Sequence, residues 1–492
     1  MKILMNRIKQ YFIAKPYNVV ILGIALLITV TNIEHRAWNK NKVIEWDIKS
    51  YYAYLPAVFI YNDINLNFRK ENIEKFGELV WPINTPTGKQ AIITTMGMSV
   101  LYSPFFLMAH AYALISDYEA DGYTAPYRFA LVFSALFYLL LGLLALKKVL
   151  LRYFNKWVTA FTILTVVVGT NLFYYSSYEA AMSHSYNFAL ISWFLLLTIK
   201  WYENPGSVKR IMLLGFLAGF ITLVRPTNII ILIVFFLWGV DSLNAFKERF
   251  LYFLKKFHLV AIMALLFIIA WLPQFIYWKY ISGMIFFFSY GELEGSFFWH
   301  NPQIFNILLS YKKGWFVYTP LMLIAFLGIF LLPWKLKRAF LPILVFKVLN
   351  IYILSCWWSW WFGGGFGLRA FVDSYALMAI PFASVVATVL EQRKFIKLPA
   401  LMLLSVLIWF SYFQTKQYIM GAIHYWWMNK EAYWETFLKR RPTERYWQLI
   451  TIPDYDLARK GIYVAIDPPS KKKVEQPKQD TLDINQIFIE ND

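Results

Sequence analysis

The chain has 492 residues, of which 59% are hydrophobic and 20% aromatic, whereas only 16% are charged. This balance is far from that of soluble globular proteins, so the sequence predicts an all-α polytopic membrane protein. The formal net charge of +19 does not indicate a nucleic-acid partner, because Lys and Arg fall in short clusters between apolar segments, where they would face lipid headgroups. The single cysteine, Cys356, excludes internal disulfides and cysteine-cluster metal sites.

The first predicted element is a membrane-spanning helix near residues 17–33. It follows a basic segment that contains Lys2, Arg7, Lys9 and Lys15, and no small-residue cleavage site comes after it. We therefore expect a retained first helix with a cytoplasmic N-terminus, because basic residues flank the cytoplasmic ends of spans.

Ten further crossings are predicted along the chain, since a spanning helix needs roughly 20 apolar residues. Short cytoplasmic loops should carry the five basic clusters. These clusters lie at 147–156, 209–210, 247–256, 335–338 and 393–397. All five become cytoplasmic only if the apolar segment 91–116 lies as a helix at the outer surface without crossing. The crossings then lie near 126–146, 157–175, 187–201, 209–224, 226–240, 257–278, 315–333, 340–356, 374–390 and 398–413.

Eleven crossings in all divide the chain into a transmembrane domain, residues 1–414, and an extracytoplasmic C-terminal tail, residues 415–492. Residues 34–125 form one large outer loop in this topology, which assigns the protein to the cytoplasmic membrane. The tail contains the polar stretch DPPSKKKVEQPKQD, which we expect to be flexible.

Polar and ionisable residues collect on the outer side of this topology. The stretches that carry them are EWDIKSYYAYLP, TPTGKQ, YEAAMSHSYN, LVRPTN, YKKGWFVYTP and WWSWWFGGGFGLRAFVD. Such residues are costly at membrane depth and usually mark a functional site. One carboxylate among several cations suits a reaction on an anionic, lipid-linked substrate, because Arg and Lys hold phosphate and a carboxylate takes a proton.

Asp47, Glu179 and His184 are the candidate proton-transfer groups in these stretches. Asp47 is also compatible with a solvated loop acid, and a histidine on an apolar face more often makes a structural hydrogen bond than a catalytic one. Glu179 and His184 do not form an HExxH motif, so no metal site is predicted. Arg225 is also compatible with snorkelling to the headgroups.

The glycines of GGGFG follow no strand of a βαβ unit, so they do not indicate a dinucleotide site. We expect them to let the backbone bend tightly and bring Arg369 and Asp373 to the outer mouth of the next helix. The tryptophans before them are compatible with an interfacial belt or with stacking on a substrate.

Several of these motifs resemble the class C (GT-C) glycosyltransferases, which include protein O-mannosyltransferases and the lipid A aminoarabinose transferase. The resemblance lies in an acid soon after the first helix, then TGKQAIITTMGMSVLYSPFF, then an arginine opening the next span in PYRFALVF. The phrases RPTN, LPQFIYWKYISG, KKGWFVYTPLML and WWFGGGFGLRAFVD are similar to those of bacterial members. The resemblance covers most of residues 15–430.

The resemblance implies inverting transfer of a hexosyl or pentosyl group from a polyprenyl-phosphate donor, on the outer face, to a glycan, lipid or protein acceptor. It implies Asp47 as the catalytic acid position and Lys89 as a lysine near the donor phosphate. Many relatives have Asp-Glu here, whereas Ile48 follows Asp47 and Glu45 is the nearest other acid, so the acting carboxylate and the need for a divalent cation stay open. The predicted substrate-binding residues are Lys89, Arg225, Arg369, His184, Glu179 and Lys313.

Two other functions fit the same composition: a lipid or polysaccharide transporter, and a non-catalytic subunit of an envelope assembly. Transporters usually show repeated halves with interrupted helices in corresponding positions. This chain has its large loop at one end only, which favours the transferase.

Overall fold

The computed structural model describes residues 10, 12–291 and 295–466. The stretch DPPSKKKVEQPKQD and the basic residues Lys2, Arg7 and Lys9 lie outside this part of the chain. Regular structure within it is mostly helical, with two short antiparallel hairpins. This is the architecture of an all-α membrane protein, as the composition predicts.

The first half of the chain begins with a long helix and a mixed loop region. Its elements are α1 (Pro16–His35), α2 (Asp47–Phe59), α3 (Asn67–Glu71), α4 (Ile73–Phe76), β1 (Pro82–Asn84), β2 (Gln90–Ile92), α5 (Gly97–Leu114), α6 (Ala125–Leu150), α7 (Lys156–Val168), α8 (Leu172–Ser177), α9 (Ser183–Glu203), α10 (Val208–Val224) and α11 (Ile231–Leu237).

The second half continues with helices and ends in a small unit of short helices and strands. Its elements are α12 (Leu243–Lys255), α13 (Phe257–Ser282), α14 (Ile304–Leu309), α15 (Trp315–Tyr318), α16 (Pro320–Gly328), α17 (Leu332–Lys335), α18 (Lys337–Ser355), α19 (Tyr375–Glu391), α20 (Lys394–Ile419), α21 (Lys430–Glu435), α22 (Glu444–Leu449), β3 (Ile452–Pro453), α23 (Tyr455–Ala458) and β4 (Ala465–Ile466). Short 3-10 helices occupy Ala37–Asn39, Pro226–Ile230, Ile329–Leu331 and Arg369–Ser374.

Six helices in the described residues are long and apolar enough to cross a membrane. They are α1 with its 3-10 extension, α6, α13, α18, α19 with the 3-10 turn before it, and α20. Six of the eleven predicted crossings coincide with them, and the count of eleven is wrong for this part of the chain.

The other five predicted crossings fall on helices that are too short or too polar to meet the same test. α7 has 13 residues and α10 has 17, α11 follows a separate 3-10 turn, and the segment 315–333 is divided at Thr319 between α15 and α16. α9 is 21 residues long, but polar residues such as His184 and Asn187 lower its hydropathy. A continuous apolar run in sequence does not require one continuous helix, which explains the difference.

Close helix packing in the bundle depends on small residues, as in other membrane proteins. α10 lies against α13 through Gly215 and Gly219, which are four residues apart and therefore on one face. A Cβ atom at Gly215 would lie 2.3 Å from the Met263 carbonyl oxygen, and one at Gly219 would lie 2.6 Å from that of Phe267. Any larger side chain would push the two helices apart.

The loop between α1 and α6 is folded onto the helices. β1 and β2 pair in antiparallel register with Ile83 opposite Ala91, and Thr85 Oγ1 in the turn between them donates to the Ile281 carbonyl oxygen at the end of α13. Tyr54 of α2 packs on Tyr277 of α13 with ring centroids 5.1 Å apart. The loop and α2 therefore lie at the C-terminal end of α13.

Candidate functional site

An open cavity of about 510 Å³ lies where the loop after α1 meets the glycine loop and the chain after α20. Its lining combines acids, one arginine, aromatic rings and bare glycine backbone. The lining residues that carry the site are Glu45, Trp46, Asp47, Tyr174, Tyr178, Glu179, Gly363, Gly364, Gly365, Arg369, Tyr418, Tyr425 and Trp426. A concave site with a few converging polar groups is the usual form of a small-molecule site.

Asp47 is the first residue of α2 and faces this cavity. Trp46 before it has a φ of 49°, a left-handed conformation that is costly for a bulky residue and that occurs preferentially at functional sites. The turn at Trp46 brings the chain into the helix at Asp47. The N-terminal end of a helix favours a carboxylate electrostatically, and the Asp47 side chain is 42% exposed.

Arg369 is the partner of Asp47, although 322 residues separate them in the sequence. Its NH2 group donates to Asp47 Oδ2 at 2.8 Å, and its side chain is 14% exposed. Its Nε has no hydrogen-bond partner among the described residues. The Nε atom is buried, so an anionic ligand would contact Arg369 through the exposed 14% of its side chain.

Glu179 is a second carboxylate in the cavity. It accepts a hydrogen bond of 2.9 Å from the Tyr174 hydroxyl. Desolvation raises the pKa of Glu179 above its ordinary value, and the charge of Arg369 acts against that shift. Arg369 therefore lies within electrostatic reach of both cavity carboxylates.

Lys313 holds the glycine loop rather than facing the cavity directly. Its Nζ donates to the carbonyl oxygens of Tyr425, at 2.6 Å, and of Gly365, and burial holds the pKa of Lys313 well below its usual range. Gly365 has a φ of 138°, and a Cβ atom there would lie 2.6 Å from the Tyr175 hydroxyl oxygen. The predicted tight bend before Arg369 therefore exists and needs glycine at this position.

A second, buried network surrounds Asp373, one turn beyond Arg369. The Asp373 carboxylate accepts hydrogen bonds from Asn228 at 2.8 Å and Asn187 at 3.0 Å. Arg225 NH1 lies 3.3 Å from Asp373 Oδ2, and His184 Nδ1 lies 3.2 Å from Oδ1. Arg225 and His184 are therefore joined to each other through an acid.

Tyr51 connects the two networks electrostatically. Burial raises the pKa of the Tyr51 phenol, the charge of Asp47 raises it further, and those of Arg225 and Arg369 lower it. The Tyr290 phenol feels the same three charges. The two arginines, 144 positions apart in the sequence, are therefore neighbours around these phenols.

Lys89 does not line this cavity. Its Nζ donates to the Tyr280 carbonyl oxygen at 3.1 Å and lies 3.7 Å from the centroid of the Tyr280 ring. Tyr280 lines a second cavity, also of about 510 Å³ and almost entirely apolar, between α2, α5 and α13. Of the predicted residues, Asp47, Glu179 and Arg369 meet at the first cavity, and Lys313 holds the glycine loop that lines it. Arg225 and His184 lie in the adjoining network, and Lys89 lies beside the apolar cavity.

Sequence reasoning missed Asn187 and Asn228. The sequence does contain a signal for the two asparagines, because they end the polar stretches YEAAMSHSYN and LVRPTN, which also contain His184 and Arg225. A polar residue on each of two apolar segments suggests a shared partner across the bundle. Their common partner is Asp373, which only the fold identifies.

No group of three or more His, Cys, Asp or Glu side chains within residues 10, 12–291 and 295–466 could hold a metal ion. A divalent cation, if the chemistry uses one, would need ligands from the substrate as well as from the cavity carboxylates.

Comparison with known proteins assigns no family. No protein-family model matches the chain, and no curated protein matches it. Function is therefore inferred from the geometry of the site and from the sequence motifs.

Proposed function

We propose that this protein transfers a sugar from a polyprenyl-phosphate donor to an acceptor on the outer side of the cytoplasmic membrane. The observation that carries the proposal is the Asp47–Arg369 pair at the mouth of the first cavity. The Asp47 carboxylate can accept a proton, the Arg369 guanidinium can bind a phosphate, and both groups adjoin a space large enough for a sugar. Glycosyl transfer from a phosphate donor requires both functions.

Asp47 is proposed as the general base. The acceptor hydroxyl or amine gives its proton to the Asp47 carboxylate, its oxygen or nitrogen forms a bond to the anomeric carbon, and the bond from that carbon to the donor phosphate breaks. The phosphate leaves with the electron pair of that bond. Attack from the side opposite the phosphate inverts the anomeric centre.

Arg369 and Arg225 are proposed to stabilise the phosphate that leaves. Arg369 lines the first cavity, and both arginines lie within electrostatic reach of Tyr51. Fixed cations contribute most where charge develops in the transition state. When Arg369 turns to the phosphate, the Asp47 carboxylate is left free to take the proton of the acceptor.

The apolar second cavity supports a lipid-linked donor. α2 carries Asp47 at its first turn and contributes Tyr54, Leu55, Val58 and Phe59 to that cavity. One helix therefore adjoins both a polar reaction space and an apolar cleft. A prenyl chain in the cleft would bring its phosphate toward the start of α2.

The orientation is part of the proposal: the N-terminus is cytoplasmic, and the first cavity and the C-terminal region are outside. The basic residues before α1 and at the end of α6, Lys147 and Lys148, support it by the positive-inside rule, since two candidate spans separate them. Tyr425 and Trp426 line the first cavity together with Asp47, so the chain after α20 lies on the same side as the loop after α1. Labelling of single cysteines in a Cys356→Ala background tests it, with Asp117→Cys and Asn204→Cys at exposed positions. An impermeant reagent added from outside should label the first and spare the second, and the reverse result would overturn the orientation.

The direct test of the function is an assay of the purified protein in lipid nanodiscs with polyprenyl-phosphate sugars that carry a labelled sugar. We expect at least one donor to release its lipid phosphate faster than in empty nanodiscs when acceptor extract is present. A transporter would move such a lipid between leaflets without cleaving it, and an assembly subunit would do neither. Intact donor across a panel of hexosyl and pentosyl lipids would reject the proposal.

A further inference from the structure

Helix α12 (Leu243–Lys255) is the amphipathic element of the described chain that the proposed reaction does not use. It is followed by Lys256 and then by the membrane-spanning candidate α13. Its side chains point in different directions and meet different environments, because consecutive residues are turned by about 100° around a helix.

One face of α12 is packed on the protein. Phe253 is 8% exposed and stacks on Trp201 with ring centroids 5.9 Å apart. Arg249 NH1 donates to the Trp238 carbonyl oxygen at 2.9 Å, and the guanidinium lies 4.1 Å from the centroid of the Tyr202 ring. These contacts fix the rotation of the helix about its axis.

A second face is apolar and has no protein cover. Leu243, Phe250 and Leu254 are 88%, 58% and 54% exposed, and their spacing of seven and four residues places them along one line. Phe257, at the start of α13, is 65% exposed and extends the same surface. Contiguous exposed apolar surface of this kind marks contact with a membrane or a partner.

Lysines lie on and beside this apolar face. Lys247, four residues after Leu243, lies within it, Lys255 lies on the polar side with Glu248, the only acid in the helix, and Lys256 follows the helix end. All three lysines are exposed. A lysine stem can lie along apolar surface while its ammonium stays among headgroups. The combination of exposed phenylalanine and leucine with lysine at the edge is typical of helices that lie in the interface of an anionic membrane.

The position of α12 relative to the first cavity agrees with this environment. α13 has 26 residues and so extends about 39 Å, which is enough to cross a bilayer. The loop that carries Thr85 contacts its C-terminal end, whereas α12 precedes its N-terminal end. α12 therefore lies at the membrane surface opposite the first cavity.

We propose that α12 is an interfacial anchor that binds anionic phospholipid headgroups in the leaflet opposite the first cavity. Phe250 and Leu254 enter the boundary between headgroups and acyl chains, and Lys247, Lys255 and Lys256 contact lipid phosphates. The proposal is independent of sugar transfer, since it uses none of the cavity residues.

The depth of the helix is tested with a nitroxide on single cysteines in a Cys356→Ala background. The purified full chain is placed in nanodiscs of phosphatidylcholine and phosphatidylglycerol, and the variants are Phe250→Cys, Leu254→Cys and Asn244→Cys. Labels at the first two positions should collide mainly with oxygen, which concentrates in the membrane, and the label at the third mainly with a water-soluble nickel chelate. Collision of all three mainly with the chelate would overturn the proposal.

The choice of lipid is tested with the triple variant Lys247→Gln, Lys255→Gln, Lys256→Gln. Its matched control removes the same charge from exposed lysines elsewhere: Lys70→Gln, Lys430→Gln, Lys460→Gln. Mass spectrometry of co-purified lipid should show the first variant retaining less phosphatidylglycerol, by about twofold or more, and the control unchanged. Equal loss in both variants would mean that the lipid responds to net charge alone and would reject the site. Cross-linking of two copies through cysteines at positions 250 and 254 in nanodiscs would show that a second copy, and not lipid, covers this face. That result would also reject the proposal.

Discussion

The chain contains two aspartate–arginine pairs close to each other, and they differ in their surroundings. Asp47 and Arg369 lie at a cavity with 42% and 14% of their side chains exposed. Asp373 is 2% exposed and is held by Arg225, Asn187, Asn228 and His184. The same two residue types therefore form a pair that a ligand can open and a pair that the fold keeps closed. We infer proton transfer at the first pair and a positioning role for Asp373 in the second, where it holds Arg225.

Removal of the buried acid should have the largest effect on stability. Asp373→Ala leaves the Arg225 charge unpaired and two asparagine donors unsatisfied, so we expect the free energy of unfolding in detergent to fall by about 3–5 kcal/mol. Asp373→Asn keeps an acceptor and should lose less. Asp456→Ala, at an exposed pair with Arg459, is the control and should be unchanged. Wild-type stability of Asp373→Ala would show that the network does not support the fold.

A conservative change at the open pair should leave folding intact and weaken donor binding. Lysine keeps the charge of Arg369 but not its planar fork, so Arg369→Lys should bind a polyprenyl-phosphate donor roughly tenfold more weakly. Fluorescence titration with a labelled donor measures this, and Arg445→Lys, an exposed position, is the matched control. Unchanged donor affinity would show that Arg369 has a purely structural role.

Glu179, which lines the first cavity, should make the stability of the protein depend on pH. Desolvation raises the pKa of Glu179 above its ordinary value of 4.5, so between those two pKa values the folded chain holds a proton that the unfolded chain releases. Stability therefore falls as pH rises through this range. Glu179→Gln removes the titration, and its stability relative to wild type should increase as pH rises above about 4.5. A difference that stays constant over this range, measured by urea unfolding, would contradict the shift.

Lys89 should have the smallest effect on the reaction, because its Nζ contacts Tyr280 beside the apolar cavity and not the Asp47 cavity. Lys89→Met should change donor affinity by less than about threefold, as expected for loss of an exposed cation–π contact. The same titration measures it beside Arg369→Lys. A loss of donor affinity larger than that of Arg369→Lys would indicate that the phosphate binds at the end of α13 and not in the first cavity.

Composition and apolar periodicity were sufficient for the helical class and for the positions of α1, α6, α13, α18, α19 and α20, because each is one long apolar run. They overestimated the number of crossings. A break such as that at Thr319, between α15 and α16, leaves hydropathy nearly unchanged, while Pro226 and its 3-10 turn shorten the next helix. Backbone breaks inside apolar segments are set by tertiary contacts that no sequence window contains.

The sequence was sufficient to choose individual residues of the site, but not to say which of them would pair. Asp47 and Arg369 could each be chosen because a charged group next to a span is costly, yet nothing in the sequence joins two residues 322 positions apart. Asp373 illustrates the same limit, since its four partners come from α9, the 3-10 turn after α10 and their flanking residues. Pairing across a helical bundle is a property of the fold.

The most direct test of the central claim is transfer by Asp47→Asn in nanodiscs, measured together with donor affinity. Asparagine keeps the shape of the side chain but cannot accept the proton, so transfer should fall by roughly 100-fold or more while donor binding stays at least as tight, because Arg369 is released to the phosphate. Glu45→Gln, at the neighbouring acid of the same cavity, should lose much less. Near-normal transfer by Asp47→Asn would contradict the assignment of this pair to the chemistry.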